Sequence, residues 1–225
     1  MSIFTISDLH LSFGTDKPMD VFGWENHVER LKSNWMRLVK PEDTVVLPGD
    51  FSWALKCDEA LEDFKFIESL PGKKLLLKGN HDLWWTTAKK LKKFFEDNNI
   101  KSVDIIYNNS VVVGEYAVCG TRGWLLDGNS DDKKILLREA GRLERSLESA
   151  VSSGKKPLVF MHFPPAYASE HSPEIVDVLH RFSVDTVYYG HIHGLGFNNS
   201  VPEFDGIKLK LVSSDCLEFV PFLIK

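Results

Sequence analysis

Short apolar runs alternate with longer stretches of helical period along most of the chain. Strands are predicted at the runs SIFTI, TVVL, KLLL, VVV, YAVC, PLVFM, DTVYY, IKLKLV and LEFVPFL. Between several of these runs, apolar residues recur at the spacing of the buried face of an amphipathic helix. Alternation of strands and helices is typical of an α/β domain with substantial parallel pairing.

Two helices have the clearest periodicity, one over 25–40 and one over 131–152. The apolar face of the first consists of Val28, Leu31, Trp35 and Leu38. N-caps are predicted at Asp58, Thr86 and Ser172, and Ser172 precedes a proline, the residue favoured at the first helical position. The C-terminal third is richer in strands, which predicts a second, mixed sheet. With neither a linker nor a repeat in the sequence, the simplest organisation is one domain over residues 1–225.

Charge and composition narrow the classes of partner. The chain has 27 basic and 32 acidic residues, a net charge of -5, which argues against nucleic acid as a partner because such binding relies on cationic side chains. No apolar run is long enough to span a membrane, and the N-terminus MSIFTISDLH is a poor signal peptide. Three scattered cysteines are typical of reduced, buried thiols. These features predict a cytoplasmic protein, and they carry no signal for an oligomeric state.

Metal-binding side chain types follow five of the predicted strands. The residues are Asp8 and His10 after SIFTI, Asp50 after TVVLP, Asn80, His81 and Asp82 after KLLLK, His162 after PLVFM, and His191 and His193 after DTVYY. In open α/β sheets, ligands bind at the carboxyl edge because the loops of neighbouring strands converge there. Local turns are the alternative interpretation, because asparagine is common in a turn after glycine and aspartate is common as a helix cap. Turns do not require histidine, so the recurrence of histidines at the strand ends indicates a metal site.

The donor types narrow the choice of metal. Carboxylate, imidazole and amide donors without a thiolate suit hard and borderline divalent ions. In an extended D-x-H segment, Asp8 and His10 lie on one face because side chains alternate with period two. The same spacing lets His191 and His193 point to one centre or to two adjacent centres.

The ordered set D-x-H, GD, GNHD, H and GHxH resembles the motifs of the calcineurin-like metallophosphoesterases. The resemblance implies a sandwich of two mixed β-sheets flanked by helices, with two divalent metal ions at the strand ends. The residues implied to hold one ion are Asp8, His10, Asp50 and His193, and those implied to complete the other are Asn80, His162 and His191, with Asp50 bridging. Manganese, iron, nickel and zinc all fit these donors, and manganese is expected to support activity in vitro.

The resemblance also implies a reaction. A hydroxide activated by two metal ions would cleave a phosphomonoester or phosphodiester bond of a small phosphorylated substrate. His81 is expected to contact the phosphate and to protonate the leaving oxygen as a general acid, with Asn80 beside it. Arg122 is a candidate clamp for phosphate oxygens through its guanidinium fork, and the alternative for it is a surface ion pair.

Other functions on the same fold remain as alternatives. The continuation GDFSWALK lacks the Arg-containing extension of protein phosphatases, and Asp82 stands where they carry Glu, which disfavours that branch. A non-catalytic metal-binding scaffold usually shows eroded ligands, whereas every ligand position is filled here. A structure-selective nuclease of this family usually carries additional DNA-binding parts, and this chain shows none.

Several aromatic side chains closely follow the strand-end motifs. They are Trp53, Trp84, Trp85, Trp124 and, after HFPP, Tyr167. Such rings can stack on a base or a sugar, but packing is the preferred interpretation for each of them. His27, His171 and His180 match no motif, and no catalytic role is expected for them.

Overall fold

The computed structural model describes residues 1–125 and 132–225. Its α-helices are α1 (His27–Leu38), α2 (Leu61–Glu68), α3 (Ala88–Asp97), α4 (Asp132–Ser152) and α5 (Pro173–Arg181), and its 3₁₀ helices are Met19–Phe22 and Gly194–Asn199. Its strands are β1 (Ile3–Thr5), β2 (Thr44–Leu47), β3 (Lys73–Leu76), β4 (Val103–Ile105), β5 (Val111–Val113), β6 (Tyr116–Thr121), β7 (Lys156–Met161), β8 (Ala166–Tyr167), β9 (Glu170–His171), β10 (Thr186–Tyr189), β11 (Glu203–Phe204), β12 (Ile207–Leu211) and β13 (Phe222–Leu223). Residue 131, the predicted start of the second helix, lies outside the described residues.

The strands form two large mixed sheets and one small hairpin. The first sheet has the order β13-β1-β2-β3-β4, with β1 to β4 parallel and β13 antiparallel at one edge. The second has the order β11-β12-β10-β7-β6-β5, with a parallel centre and antiparallel strands at both edges. β8 and β9 pair separately. The predicted sandwich of two mixed sheets flanked by helices is confirmed.

The core has three layers because neighbouring strand residues point to opposite faces of a sheet. Between the sheets, Ile3 and Leu75 of the first sheet belong to one buried cluster with Phe160 of the second. On its other face the first sheet packs against α1, α2 and α3, and the second sheet packs against α4 and α5. Burial on both faces explains the continuous apolar runs of the central parallel strands.

The last predicted strand and the first predicted N-cap differ from the structure. Leu217–Leu223 does not form one strand, because Glu218 and Phe219 have φ angles of 51° and 62° and turn the chain. Only Phe222–Leu223 is left to pair with β1. The N-cap of α2 is Ala60 and not Asp58, because a turn at residues 57–60 precedes the helix.

The other two predicted caps lie at or next to the observed ones. α3 is capped by Thr87, one residue beyond the predicted Thr86, and its hydroxyl accepts from the Lys90 backbone N–H at 3.3 Å. Ser172 is the N-cap of α5, as predicted, but its hydroxyl donates to the Trp124 carbonyl at 2.8 Å. All three cysteines are free thiols, but of these only Cys119 is buried as expected, whereas Cys57 is half-buried and Cys216 is exposed. Within the described residues, every helix is too short or too polar to cross a membrane.

Candidate metal centre

The carboxyl ends of six strands meet at one edge of the sandwich. The first sheet contributes the residues that follow β1, β2 and β3, and the second those that follow β7, β10 and β12. Candidate ligand atoms form two groups, and within each group they lie within 4.8 Å of one another. One group is Asp8, His10 and His193, and the other is Asp50, His162 and His191. His191 and His193 therefore fall in different groups, which favours two adjacent centres over one shared centre.

Asp50 belongs to the second group and also borders the first. Its Oδ2 atom is 3.8 Å from Nε2 of His10 in the first group and 3.5 Å from Nε2 of His162 in the second. Asn80 lies on the side of the second group, with its Oδ1 atom 2.7 Å from the same Nε2 of His162. One carboxylate oxygen thus faces a ring nitrogen of each group.

The backbone at these residues is left-handed. The φ angles are 59° at Asp8, 46° at His10, 51° at Asp50 and 71° at His191. This conformation costs roughly 1–2 kcal/mol for a residue with a side chain, and it persists where the surroundings enforce it. The prediction that D-x-H is an extended segment is therefore wrong. Asp8 and His10 converge because the chain turns at each of them, and not because side chains alternate.

Two motif glycines allow the chain to approach the carboxylates closely. A Cβ atom added to Gly79 would overlap Oδ1 of Asp50, and one added to Gly190 would overlap Oδ2 of Asp8. Because the overlapping atoms belong to fully buried side chains, neither can give way easily. The glycines of GNHD and GHIH are thus required by the close packing of this edge.

At this edge the lone pair of a histidine ring nitrogen faces a carboxylate oxygen, with no proton between them. Nδ1 of His162 lies 3.1 Å from the Pro48 carbonyl, so we assign the ring proton to Nδ1, because a carbonyl can only accept. The lone pair of Nε2 then faces the carboxylate of Asp50 at 3.5 Å. The buried Nδ1 of His10 finds no hydrogen-bond partner among the described residues. A cation satisfies such facing lone pairs, so these side chains fit divalent metal ions.

Burial also shifts the pKa values of these groups. It lowers the pKa of His10 and of His191 to about 3. Burial, with the nearby Asp8, raises the pKa of Asp50 well above its usual range. Burial acts to lower the pKa of His193 as well, but its bonds to Asp215 and Asp8 outweigh that effect and raise it to about 10. A divalent cation favours ionised carboxylates and neutral imidazoles as ligands, and it therefore compensates for the burial of both.

Asp215 is a site residue that the sequence reasoning missed. Its Oδ1 atom is 2.9 Å from Nδ1 of His193, and Nε2 of that ring is 3.1 Å from Oδ1 of Asp8. Its Oδ2 atom accepts from the Gly194 backbone N–H at 3.1 Å. Asp215 thereby fixes the orientation of the His193 ring. The sequence did contain a signal for Asp215, because this carboxylate follows β12 at the same sheet edge as the other site residues.

Asp82 joins two loops by hydrogen bonds, the loop after β2 that contains Gly49 and Asp50 and the loop after β3 that contains Gly79 to Asp82. Its Oδ2 accepts from the backbone N–H groups of Asp50 and Gly79, and its Oδ1 accepts from those of Phe51 and Ser52 and from the Trp84 indole N–H. The distances run from 2.7 to 3.3 Å. The alternative role of a helix cap does not apply, because Asp82 lies well before Ala88, the first residue of α3.

A cavity of about 420 Å³ opens above the two groups. Its polar lining residues are His10, Asp50, His81, His191, His193 and Asp215. Its apolar lining residues are Met19, Phe22, Trp24 and Trp53, which we call the apolar wall. Of these, only Trp53 follows a predicted strand, so no motif pointed to the other three.

The remaining candidates lie elsewhere. Arg122 does not line the cavity. Its guanidinium lies over the Trp124 ring and is 3.7 Å from the buried carboxylate of Glu139, so its ion pair is not on the surface as the alternative expected. Trp84 is buried in the core, and Trp85 packs against it. The hydroxyl of Tyr167 donates to a backbone carbonyl in the segment 194–199. The packing interpretation thus describes these aromatic residues, with Trp53 as the exception.

The histidines that match no motif lie outside the cavity lining. His27 packs between Trp24 and Phe219, and His180 pairs with Asp205 on the surface. The His171 ring lies 4.9 Å from that of Phe204.

The family model of the calcineurin-like phosphoesterases matches residues 1–195. The chain therefore belongs to this family of phosphoesterases. The family normally uses two divalent metal ions, and the chain presents two candidate metal-binding groups. No curated protein matches the sequence.

Several solved structures share the fold. The protein of unknown function AQ665 from Aquifex aeolicus is 16% identical with a TM-score of 0.55, over 99% of this chain and 95% of that one. Phosphopantetheinyl hydrolase (PptH) from Mycobacterium tuberculosis is 17% identical with a TM-score of 0.52, over 94% and 88%. TT1561 of Thermus thermophilus is 14% identical with a TM-score of 0.56, over 93% and 87%. At these identities the likeness shows the fold alone.

Proposed function

We propose that the protein is a metal-dependent phosphohydrolase that cleaves a phosphomonoester or phosphodiester bond of a small phosphorylated substrate. The observation that carries the proposal is the position of Asp50. Its Oδ2 atom faces a histidine of each ligand group at the floor of a cavity that His81 also lines. Membership of a phosphoesterase family supports the same reaction class.

The ligand groups assign residues to two cations. Under this proposal the residues of the first site are Asp8, His10, Asp50 and His193, and those of the second are Asp50, Asn80, His162 and His191. Manganese is expected to support activity in vitro. When bound, such a pair of ions supplies an activated water and positive charge for the phosphoryl oxygens.

Neighbouring groups hold the ligands in place. The His81 backbone N–H donates to Oδ1 of Asp50 at 2.8 Å, which leaves Oδ2 directed at the histidines. The Pro48 carbonyl fixes the ring of His162, and Asp215 fixes that of His193. Groups of this kind typically change metal affinity or activity by roughly 10–100-fold when they are removed, because they set the tautomer and the orientation of the ligand.

The His81 side chain is placed to act on the substrate. Its ring centroid is 5.7 Å from that of His10 and 4.5 Å from that of Trp53, so it lies beside the ligand groups without belonging to either. We assign to its protonated ring, an imidazolium, the donation of one proton to the leaving oxygen, which leaves a neutral imidazole. Asn80 is expected to lie next to the phosphate. Arg122 is not assigned a role in phosphate binding, because its guanidinium pairs with the carboxylate of Glu139.

A panel assay with manganese in excess tests this function. It compares phosphomonoesters, cyclic and linear phosphodiesters, and pyrophosphates, with Asp50→Asn as the inactive control. Metal-dependent hydrolysis of at least one ester class, lost in the variant, supports the proposal. A protein that binds two metal ions but hydrolyses none of these compounds would instead be a non-catalytic scaffold.

A further inference from the structure

The apolar wall begins directly beside the proposed proton donor. The Trp53 ring stacks on His10 with 4.7 Å between centroids and lies 4.5 Å from His81. Its indole N–H donates to the sulfur of Met19 at 3.2 Å, which joins the loop after β2 to the 3₁₀ helix Met19–Phe22. Trp24 continues the wall, with its ring 5.4 Å from that of His193. Apolar side chains thus extend from His81 and the metal-binding groups along one side of the cavity.

The outer part of the wall is open to solvent. Phe22 lines the cavity, yet 67% of its surface is exposed. Gly194 also lines the cavity, and the adjacent Leu195 is 88% exposed. Single exposed apolar residues are ordinary on a protein surface. Here, however, an exposed phenyl ring borders a cavity whose inner apolar residues, Met19 and Trp24, are buried. A ligand that filled the cavity would cover Phe22.

The distribution of polar groups limits what the cavity can hold. Among the described lining residues, the ionisable side chains are the candidate metal ligands, Asp215 and His81. The indole N–H of Trp53 is already used by Met19. The Lys17 ammonium lies over the Trp53 ring, 4.8 Å from its centroid, and is the charged group beside this part of the wall. Hydroxyl groups of a sugar phosphate that lay against Met19, Trp24 and Phe22 would lose hydrogen bonds to water. Pyrophosphate would leave the wall uncovered.

We propose that the apolar wall binds the alcohol side of the substrate, which is therefore a phosphate ester whose leaving group carries an apolar portion, either aryl or alkyl. This inference rests on the proposed hydrolase function. The phosphoryl group lies over the ligand groups, the leaving oxygen lies near His81, and the apolar portion extends along Trp53 and Met19 to Phe22. Phe22 is then a specificity-determining residue at the outer end of the wall.

Binding of alkylphosphonates, which resist hydrolysis, tests the inference without relying on turnover. Affinity for the manganese-supplied protein is measured by calorimetry from methyl- to octylphosphonate. It should rise with chain length, by at most roughly fourfold for each methylene group that the wall buries. Phe22→Ala should weaken octylphosphonate binding roughly tenfold and leave methylphosphonate binding unchanged. Because Phe22 is mostly exposed, this substitution should leave the fold intact.

The matched control is Phe13→Ala. Phe13 is another exposed phenylalanine near the N-terminus, but it packs against Phe66 and does not line the cavity. This variant should bind every phosphonate as the wild type does. Equal affinity for methyl- and octylphosphonate, or equal effects of the two substitutions, would overturn the inference. Tighter binding of phenylphosphonate than of hexylphosphonate would identify an aryl group, and the reverse an alkyl group.

Turnover separates this inference from the function on which it rests. Methyl, octyl and phenyl phosphates are compared with a sugar phosphate and pyrophosphate. Highest kcat/KM for octyl or phenyl phosphate supports the inference. Efficient hydrolysis of the sugar phosphate, with no gain from an alkyl chain, overturns it and leaves the hydrolase function standing. If phosphonate affinity rises with chain length but no ester is hydrolysed, the proposed hydrolase function is wrong. The inference that the wall binds an apolar group would still stand.

Discussion

Asp50 and Asp82 are two buried aspartates in neighbouring loops, and they differ in what their oxygens face. Both oxygens of Asp82 accept N–H groups, five in all. Asp50 accepts the His81 N–H on Oδ1, whereas its Oδ2 faces the rings of His10 and His162. A carboxylate such as Asp82, whose two oxygens accept hydrogen bonds from N–H donors, stabilises the fold. A carboxylate such as Asp50, whose oxygen faces the lone pairs of two histidine rings, is placed to bind a cation.

Replacement of Asp50 should have the largest effect. In Asp50→Asn a neutral amide stands between the two ligand groups, and an amide bridges two cations poorly. We expect metal loading to fall at both positions and turnover to fall by more than roughly 10⁴, beyond the usual contribution of a general acid. The measurement is metal content together with turnover under excess manganese. Wild-type turnover with both metals retained would show that Asp50 does not bridge.

Loss of the His81 side chain should slow the reaction without affecting metal binding. His81→Ala should reduce turnover by roughly 10²–10⁴, the range for a general acid. The loss should shrink for a good leaving group such as nitrophenolate, because that oxygen hardly needs a proton. Rates are compared for aryl and alkyl esters with metal content measured in parallel.

Asn80→Ala is the matched variant for His81→Ala, because Asn80 precedes His81 and its amide faces His162. It should weaken the second metal and be partly rescued by excess manganese. If His81→Ala affects good and poor leaving groups equally, with metals intact, the general-acid assignment is wrong.

Replacement of Asp215 should have a smaller effect than replacement of Asp50 or His81, because Asp215 acts on the metal site only by orienting the His193 ring. Asp215→Asn weakens the hold on Nδ1 of that ring and should reduce metal affinity by roughly 10–100-fold. Turnover at saturating metal should stay near that of the wild type. A titration of metal-free protein with manganese measures the shift. A fall in saturated turnover with unchanged affinity would give Asp215 a different role.

Asp82 should matter mainly for stability. In Asp82→Asn one oxygen becomes an NH₂ group that faces N–H donors, which should lower the free energy of unfolding by about 3 kcal/mol. Urea unfolding of the metal-free protein measures this change. The control is Asp97→Asn, which removes an exposed ion pair with Lys93 and should leave the free energy of unfolding almost unchanged. Equal stability losses in the two variants would contradict the structural role of Asp82.

The two aspartates also show how far sequence reasoning reaches. Strand ends and residue types predicted the fold and brought together Asp8, Asp50 and His162 from distant parts of the chain. The same reasoning grouped Asp82 with the metal-binding side chain types, with a helix cap as the alternative, and it missed the observed role because that role depends on N–H groups of another loop. The left-handed turns at Asp8 and His10 were likewise invisible, since they arise from tertiary contacts and not from local propensity. The single-domain organisation stays a prediction.

The apolar wall lay beyond sequence reasoning for a similar reason. Met19, Phe22 and Trp24 follow no strand and belong to a segment with little periodicity. Only the packing of Trp53 against Met19 places that segment at the cavity. Asp215, in contrast, obeyed the strand-end rule, and a search of every strand end would have found it.

Metal content of the wild type, Asp50→Asn and Asp82→Asn, purified side by side with manganese supplied, tests the central claim most directly. We predict two ions per chain in the wild type, in line with its two ligand groups. Folded Asp82→Asn should also hold two, and Asp50→Asn should hold fewer than one. Fewer than one ion in the wild type, or two tightly held ions in Asp50→Asn, would contradict the assignment of this edge as a dinuclear metal centre bridged by Asp50.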